Sequence, residues 1–337
     1  MGEDQIRDFL EERGERAFRA RQIYEWLWKK SCPSFDEMSN LSLPLREMLK
    51  AHFIISPVQV HTRQVSTDRT IKSKFQLHDG HFIEGVLIPT ENRMTACVSS
   101  QVGCSLTCSF CATGYMDRKR NLDAAEIYDQ VVLIRQQAEE YYQAPLTNIV
   151  YMGMGEPLLN YTNVLQSVEH ITSPQGLHMS PDRITVSTAG IAKMIRKLGD
   201  EQVKFNLALS LHAANDAKRN QIMPINETNS LKALKSALQY YYEKTKKQLT
   251  FEYILFYNFN DTLEDAAELE QFTRYVSSKV NIIEYNPIAE AHFTNTKANR
   301  LDQFAAFLNR KGVNVRVRRS RGKDIDAACG QLANRNN

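Results

Sequence analysis

Three thiols fall within eight residues at Cys104-Ser105-Leu106-Thr107-Cys108-Ser109-Phe110-Cys111, and no other feature of the 337-residue chain restricts its structure and chemistry so sharply. Thiolates are soft ligands for zinc or for iron–sulfur clusters, and a closed structural zinc site or a ferredoxin-type cluster takes four ligands. The other cysteines, Cys32, Cys97 and Cys329, have no CxxC spacing that would complete such a site. Three thiolates on a 4Fe-4S cluster instead leave one iron without a protein ligand. The plain alternative, that these are incidental buried thiols, is hard to reconcile with such density.

The surrounding sequence predicts the scaffold. Residues 1 to about 52 carry apolar positions at helical spacing over Gln5–Arg13 and Arg19–Lys30, with Pro44 expected to break the next segment. Between Pro57 and Ile88 the pattern becomes alternating, as in Lys72 to Leu77 and Phe82 to Ile88, and predicts a hairpin. From about Met94, β-branched runs alternate with amphipathic stretches, which argues for parallel βα units in an α/β fold. Strands are expected at Thr95–Ser99, Asn148–Met152, Ile184–Ser187, Phe205–Ser210, Phe251–Phe256 and Val280–Tyr285. The helix after Leu122 is marked best, by a capping box between Asp123 and Glu126 and by Leu122 and Ile127 as a hydrophobic staple. Six such strands give a partial barrel or an open sheet. Ligands of either gather at the C-terminal strand ends, where Gly153 to Glu156, Ser187, Ser210 to His212 and Asn286 fall. Expected boundaries are a helical accessory domain at 1–53, a β-hairpin extension at 54–92, a core at 93–323 and a C-terminal segment at 324–337, with no order expected at 334–337.

With 42% hydrophobic and 24% charged residues the chain can bury a large core. Its apolar runs fall far short of the ~20 residues that cross a bilayer, and its N-terminus is polar and acidic, so a cytoplasmic location without membrane contact is expected. Net charge is only +3, yet Arg316, Arg318, Arg319, Arg321 and Lys323 crowd one segment and Arg118, Lys119 and Arg120 another. Such clusters suit phosphate binding, although a solvated charged face looks the same.

The CxxxCxxC spacing with Phe110 before the last thiol resembles the signature of the radical S-adenosylmethionine (SAM) superfamily, and Gly153-Met154-Gly155-Glu156-Pro157 resembles its GGEP motif. Val98-Ser99-Ser100-Gln101-Val102-Gly103-Cys104, Ser210-Leu211-His212-Ala213 and Asp324 to Leu332 are similar to the RlmN/Cfr family, a resemblance running from about residue 15 to residue 333. It implies a partial (β/α)6 TIM-like barrel, a 4Fe-4S cluster on Cys104, Cys108 and Cys111, and SAM contacts at Gly155, Glu156, Ser187, Ser210, Leu211, His212 and Asn286. It also implies methylation of an RNA adenine, in 23S rRNA and in tRNA, with a flavodoxin- or ferredoxin-type electron donor. A monomer is expected.

The chemistry the resemblance implies uses two SAM molecules. One methylates Cys329; the other generates the radical that activates this methyl group, which then adds to adenine and joins protein to RNA. Glu84 is the implied base that removes the ring proton, and Cys97 the thiol that releases the product through a transient disulfide with Cys329. Those two cysteines lie 232 positions apart, so the fold must bring their Cα atoms within ~7 Å. Pro157 and Val102 favour carbon 2 of adenine as the target, with carbon 8 the alternative inside the family. From the residues alone other readings stay open: Cys97 as a core thiol, Cys329 as an exposed one, Glu84 as a strand-edge carboxylate, His212 as a core histidine, and the whole chain as a non-catalytic iron–sulfur or zinc protein that binds RNA.

Overall fold

The computed structural model describes residues 2–335. Three helices, α1 (Glu3–Glu11), α2 (Phe18–Tyr24) and α3 (Leu43–His52), form the N-terminal module. Pro44 does not break a segment, as the sequence suggested; it stands in the first turn of α3, behind the Ser42 cap. Its missing N–H costs nothing there, because first-turn amides have no partner inside the helix. The module is seated on the core by Trp28, whose ring stacks on His170 at 3.7 Å.

The core strands are β1 (Gln59–Val65), β2 (Ile71–Gln76), β3 (Phe82–Thr90), β4 (Arg93–Cys97), β5 (Gln101–Val102), β6 (Arg120–Asn121), β7 (Asn148–Tyr151), β8 (Ile184–Thr188), β9 (Asn206–Ser210), β10 (Leu249–Leu255), β11 (Ser278–Glu284) and β12 (Val315–Arg318). Ten of them make one sheet in the order β1-β2-β3-β4-β7-β8-β9-β10-β11-β12. The first four pair antiparallel and the remainder parallel. β1 and β12 are not paired with each other, so the barrel is partial. The predicted hairpin is therefore a longer antiparallel run fused to the barrel sheet, and β12 was missed because its Val-Arg-Val-Arg sequence reads as a basic run rather than a strand.

Helices α4 (Ala124–Tyr142), α5 (Tyr161–Thr172), α6 (Ala192–Asp200), α7 (Asp216–Ile222), α8 (Leu231–Thr245), α9 (Leu263–Thr273) and α10 (Ala298–Arg310) cross between the parallel strands. α4 starts at the expected capping box, and Leu122 and Ile127 are both fully buried. Against its inner face lies Gly85, where a Cβ would stand 2.8 Å from the Phe75 ring and 3.2 Å from both the Cys97 carbonyl and Ile134. Glycine is what lets β3, paired with β4, lie close against α4, and its neighbour Glu84 then points the other way, into the barrel. Asn334 and Arg335, expected to lack order, make specific contacts; residues 336 and 337 lie outside the described residues. Among the described residues no helix is long and apolar enough to cross a membrane.

Candidate active site

The barrel holds a cavity of about 210 Å³ that opens to solvent. Its wall includes Cys104, Cys108 and Cys111, the SAM candidates Gly155, Glu156, Ser187, Ser210 and His212, and both Cys97 and Cys329. Leu211 and Asn286 are buried but not part of that wall. The Leu211 carbonyl accepts from Arg219 Nε at 3.1 Å, and Asn286 Nδ2 donates to the Cys329 carbonyl at 3.0 Å.

The three thiols sit on the loop after β5, packed with Leu106 and Phe110 against Met223, Ile254, Phe256 and Tyr285. This apolar setting pushes the Cys104 thiol up to about 11 and raises Cys108 and Cys111 as well. Among the described residues no three His, Cys, Asp or Glu side chains converge on a point as one mononuclear ion requires. Three desolvated thiols spread over one wall suit a polynuclear cluster, whose iron charge would favour their thiolate forms, with one corner left for another ligand. Asn286 adds a buried Oδ1 that has no partner among the described residues. That orphaned acceptor fits a ligand carrying N–H or O–H donors, as SAM does.

Glu156 follows Gly155, whose φ of +95° and a Cβ position only 2.5 Å from Gln101 exclude a side chain. Its carboxylate accepts the Ala189 and Leu158 amides at 2.7 and 3.0 Å, yet burial raises its pKa above the usual carboxylate range. The His212 pKa is held down to about 3, by burial first and by Arg219 second. The Ile254 amide donates to its Nδ1 at 3.1 Å, so the neutral ring carries its proton on Nε2.

Cys97 ends β4 and Cys329 lies on the C-terminal segment. Both are free thiols, pushed up by desolvation to about 12 and about 11. Each is close enough to charged groups around the cavity, Arg318 among them, to feel their charge. Cys329 is accessible, but to the cavity. Its segment is laced to the cysteine loop by the Ala112 amide on the Gly330 carbonyl at 2.7 Å and by the Thr113 hydroxyl on the Leu332 carbonyl at 2.6 Å.

Val86 pairs with Cys97, so Glu84, two residues earlier on β3, shares the face of the sheet that carries Cys97. Glu84 is not a strand-edge carboxylate. It is 2% exposed, and its Oε2 accepts the amides of Ala333 and Asn334 at 2.9 and 3.1 Å.

Two further groups escaped the sequence reading. Arg219 is wholly buried, its donors on the Leu211, Ala189 and Ser210 carbonyls and on Asn226; a lone arginine in the polar α7 gives no hint of this. Glu252, on β10, lies on the cavity wall, accepting Asn281 Nδ2 at 2.8 Å with Arg318 Nη1 at 3.5 Å. A charge in the apolar run Phe251 to Phe256 was the available signal. Of the basic clusters, Arg120 is turned onto Glu126 and Asp79, whereas Arg318, Arg319 and Arg321 line the cavity.

Residues 1–55 match the family model described as the ribosomal RNA large subunit methyltransferase N-terminal domain, and residues 98–269 match the radical SAM superfamily. A probable dual-specificity RNA methyltransferase RlmN of Cytophaga hutchinsonii is 63% identical over 99% of this chain and 91% of its own length. One of the same name from Bacillus velezensis is 43% identical over 98% and 90%. The crystal structure of a radical SAM methyltransferase from Sphaerobacter thermophilus superposes with a TM-score of 0.93 at 38% identity, covering 98% of this chain and 97% of that one. A 4Fe-4S cluster and SAM are the cofactors that follow, and the three-thiol wall fits them. The chain belongs to the RlmN family of radical SAM RNA methyltransferases.

Proposed function

We propose that the chain methylates carbon 2 of an adenine in 23S rRNA at the peptidyl-transferase centre and of an adenine in tRNA, with Cys329 as methyl carrier. The reading rests on one observation above the others: Cys97 and Cys329 line the same cavity as the three loop thiols. Carbon 2 of adenine is too poor a nucleophile to take a methyl group by polar displacement, so the reaction needs radical chemistry. When bound, the cluster on Cys104, Cys108 and Cys111 with SAM supplies a carbon radical able to take hydrogen from a methyl group.

The protein's own groups do the rest. Glu156, Ser187, Ser210, His212 and Asn286 hold SAM against the cysteine loop. Cys329 carries the methyl group into the cavity on its C-terminal segment. Glu84 takes the proton from the ring carbon, for which Oε2 must first exchange the Ala333 and Asn334 amides for substrate. Cys97 then attacks the Cys329 sulfur, forming an S–S bond as the carbon–sulfur bond breaks. Arg318, Arg319 and Arg321 at the mouth supply charge for RNA phosphates, and the target base swings out of its stack to reach the thiols. Electrons come from a flavodoxin- or ferredoxin-type donor, and a monomer working on cytoplasmic RNA suffices.

The test is mass spectrometry of nuclease-digested RNA after turnover by the reconstituted enzyme and by Cys329→Ala. The expected product is 2-methyladenosine, absent with the variant. Appearance of 8-methyladenosine would move the target to carbon 8, and full activity of Cys329→Ala would refute the carrier.

A further inference from the structure

We propose that Lys72 is the positioning residue for the base Glu84, holding its Oε1 so that Oε2 is the atom that accepts the proton. The inference rests on the reading of Glu84 as the base and deepens it.

Lys72 lies on β2 and is 6% exposed, and its Nζ stands 3.8 Å from Glu84 Oε1. In the β2–β3 ladder it pairs with Val86, so its side chain shares the barrel face with that of Glu84 one pair along. The two oxygens of Glu84 are thus divided. Oε2 takes the two amides of the C-terminal segment, and Oε1 faces the ammonium. Lys74, directly across from Glu84 in the ladder, holds the Asn334 carbonyl at 3.1 Å and sits over the Phe82 ring.

The consequence follows from what moves. Once the Ala333 and Asn334 amides leave to admit adenine, Oε2 loses both its donors. A buried carboxylate stripped of donors is costly unless a counter-charge stays behind. Lys72 is built into the sheet and stays. Its ammonium, facing Oε1, fixes the carboxylate's plane while Oε2 turns to the ring. When the C–H bond breaks, its electron pair remains with the RNA–protein adduct and the proton passes to Oε2.

The experiment compares reconstituted wild type, Lys72→Met, Lys72→Arg and Glu84→Gln on a tRNA transcript. The readouts are 5′-deoxyadenosine formed, covalent RNA–protein adduct on a denaturing gel, and methyladenosine released. Lys72→Met should still cleave SAM, accumulate adduct as Glu84→Gln does, and release product at least tenfold more slowly. Lys72→Arg should restore most of the release. Normal release by Lys72→Met overturns the assignment, as does loss of SAM cleavage in both Lys72→Met and Lys72→Arg, since the lysine then serves the fold. Normal release by Glu84→Gln overturns the base reading itself, a result separate from either.

Discussion

Asn286 donates its Nδ2 proton to the carbonyl of Cys329 at 3.0 Å, while its buried Oδ1 has no partner among the described residues. One amide thus has one end on the backbone of Cys329, the proposed methyl carrier, and the other unsatisfied. With Asn286 as the proposed SAM contact, the position of Cys329 and the occupancy of the SAM site are coupled, because both use the same side chain two residues past β11.

Asn286→Ala removes both contacts. Loss of one neutral hydrogen bond is worth about 1 kcal/mol, so SAM should bind roughly fivefold more weakly, as calorimetry under anaerobic conditions would record. The fraction of Cys329 recovered as S-methylcysteine should fall alongside it. Weakened SAM binding with Cys329 loaded at the normal rate would separate the two roles and count against the link.

In the proposed mechanism, Cys97→Ser replaces the releasing thiol with a hydroxyl that cannot displace a sulfur. The variant should load Cys329 and cleave SAM normally, yet trap RNA on the protein, and released product should drop by at least about tenfold. Gel mobility of the RNA under reducing, denaturing conditions reads this directly. Free RNA carrying the methyl group at the normal rate would remove Cys97 from the mechanism.

How far the sequence carried depended on whether a residue's role was local. The capping box at Asp123 and Glu126 involves four consecutive positions, and it formed as expected. The strands Asn148–Tyr151 and Ile184–Thr188 followed from β-branched runs that a two-sided burial demands. β12 failed that test because an edge strand is buried on few of its positions, leaving Arg316 and Arg318 to look like a charge cluster. The proposed site residues were read from family motifs, whereas Lys72 and Arg219 carry no such motif, since each takes its meaning from groups far away in sequence. Lys72 is defined by Glu84 across the ladder, and Arg219 by carbonyls on β9 and after β8.

Arg219 leads to a stability prediction. Its guanidinium satisfies the Leu211, Ala189 and Ser210 carbonyls and the Asn226 side chain at once, although burial pulls its pKa down to about 10. Arg219→Met should cost about 2–4 kcal/mol in denaturant unfolding, because the acceptors stay buried without donors. Arg219→Lys should recover little, as one ammonium cannot reach divergent acceptors in the manner of a planar fork. A loss under about 0.5 kcal/mol for the Met variant would mean the wall around Ser210 and His212 is held by something else.

The seat of the N-terminal module should loosen in acid. His170 stacks on Trp28 and shares a 2.8 Å hydrogen bond with the Tyr24 hydroxyl, and burial holds its pKa down to about 4. In the unfolded chain the same ring titrates near about 6.5, so between those values the native state binds fewer protons than the unfolded one. Stability from this contact is therefore full above about pH 6.5 and is lost as pH falls toward 4. Thermal unfolding followed by tryptophan emission should show a falling midpoint across that window. His170→Phe keeps an aromatic stack without the titration and should flatten the slope. An unchanged slope in that variant would assign the acid sensitivity to other groups.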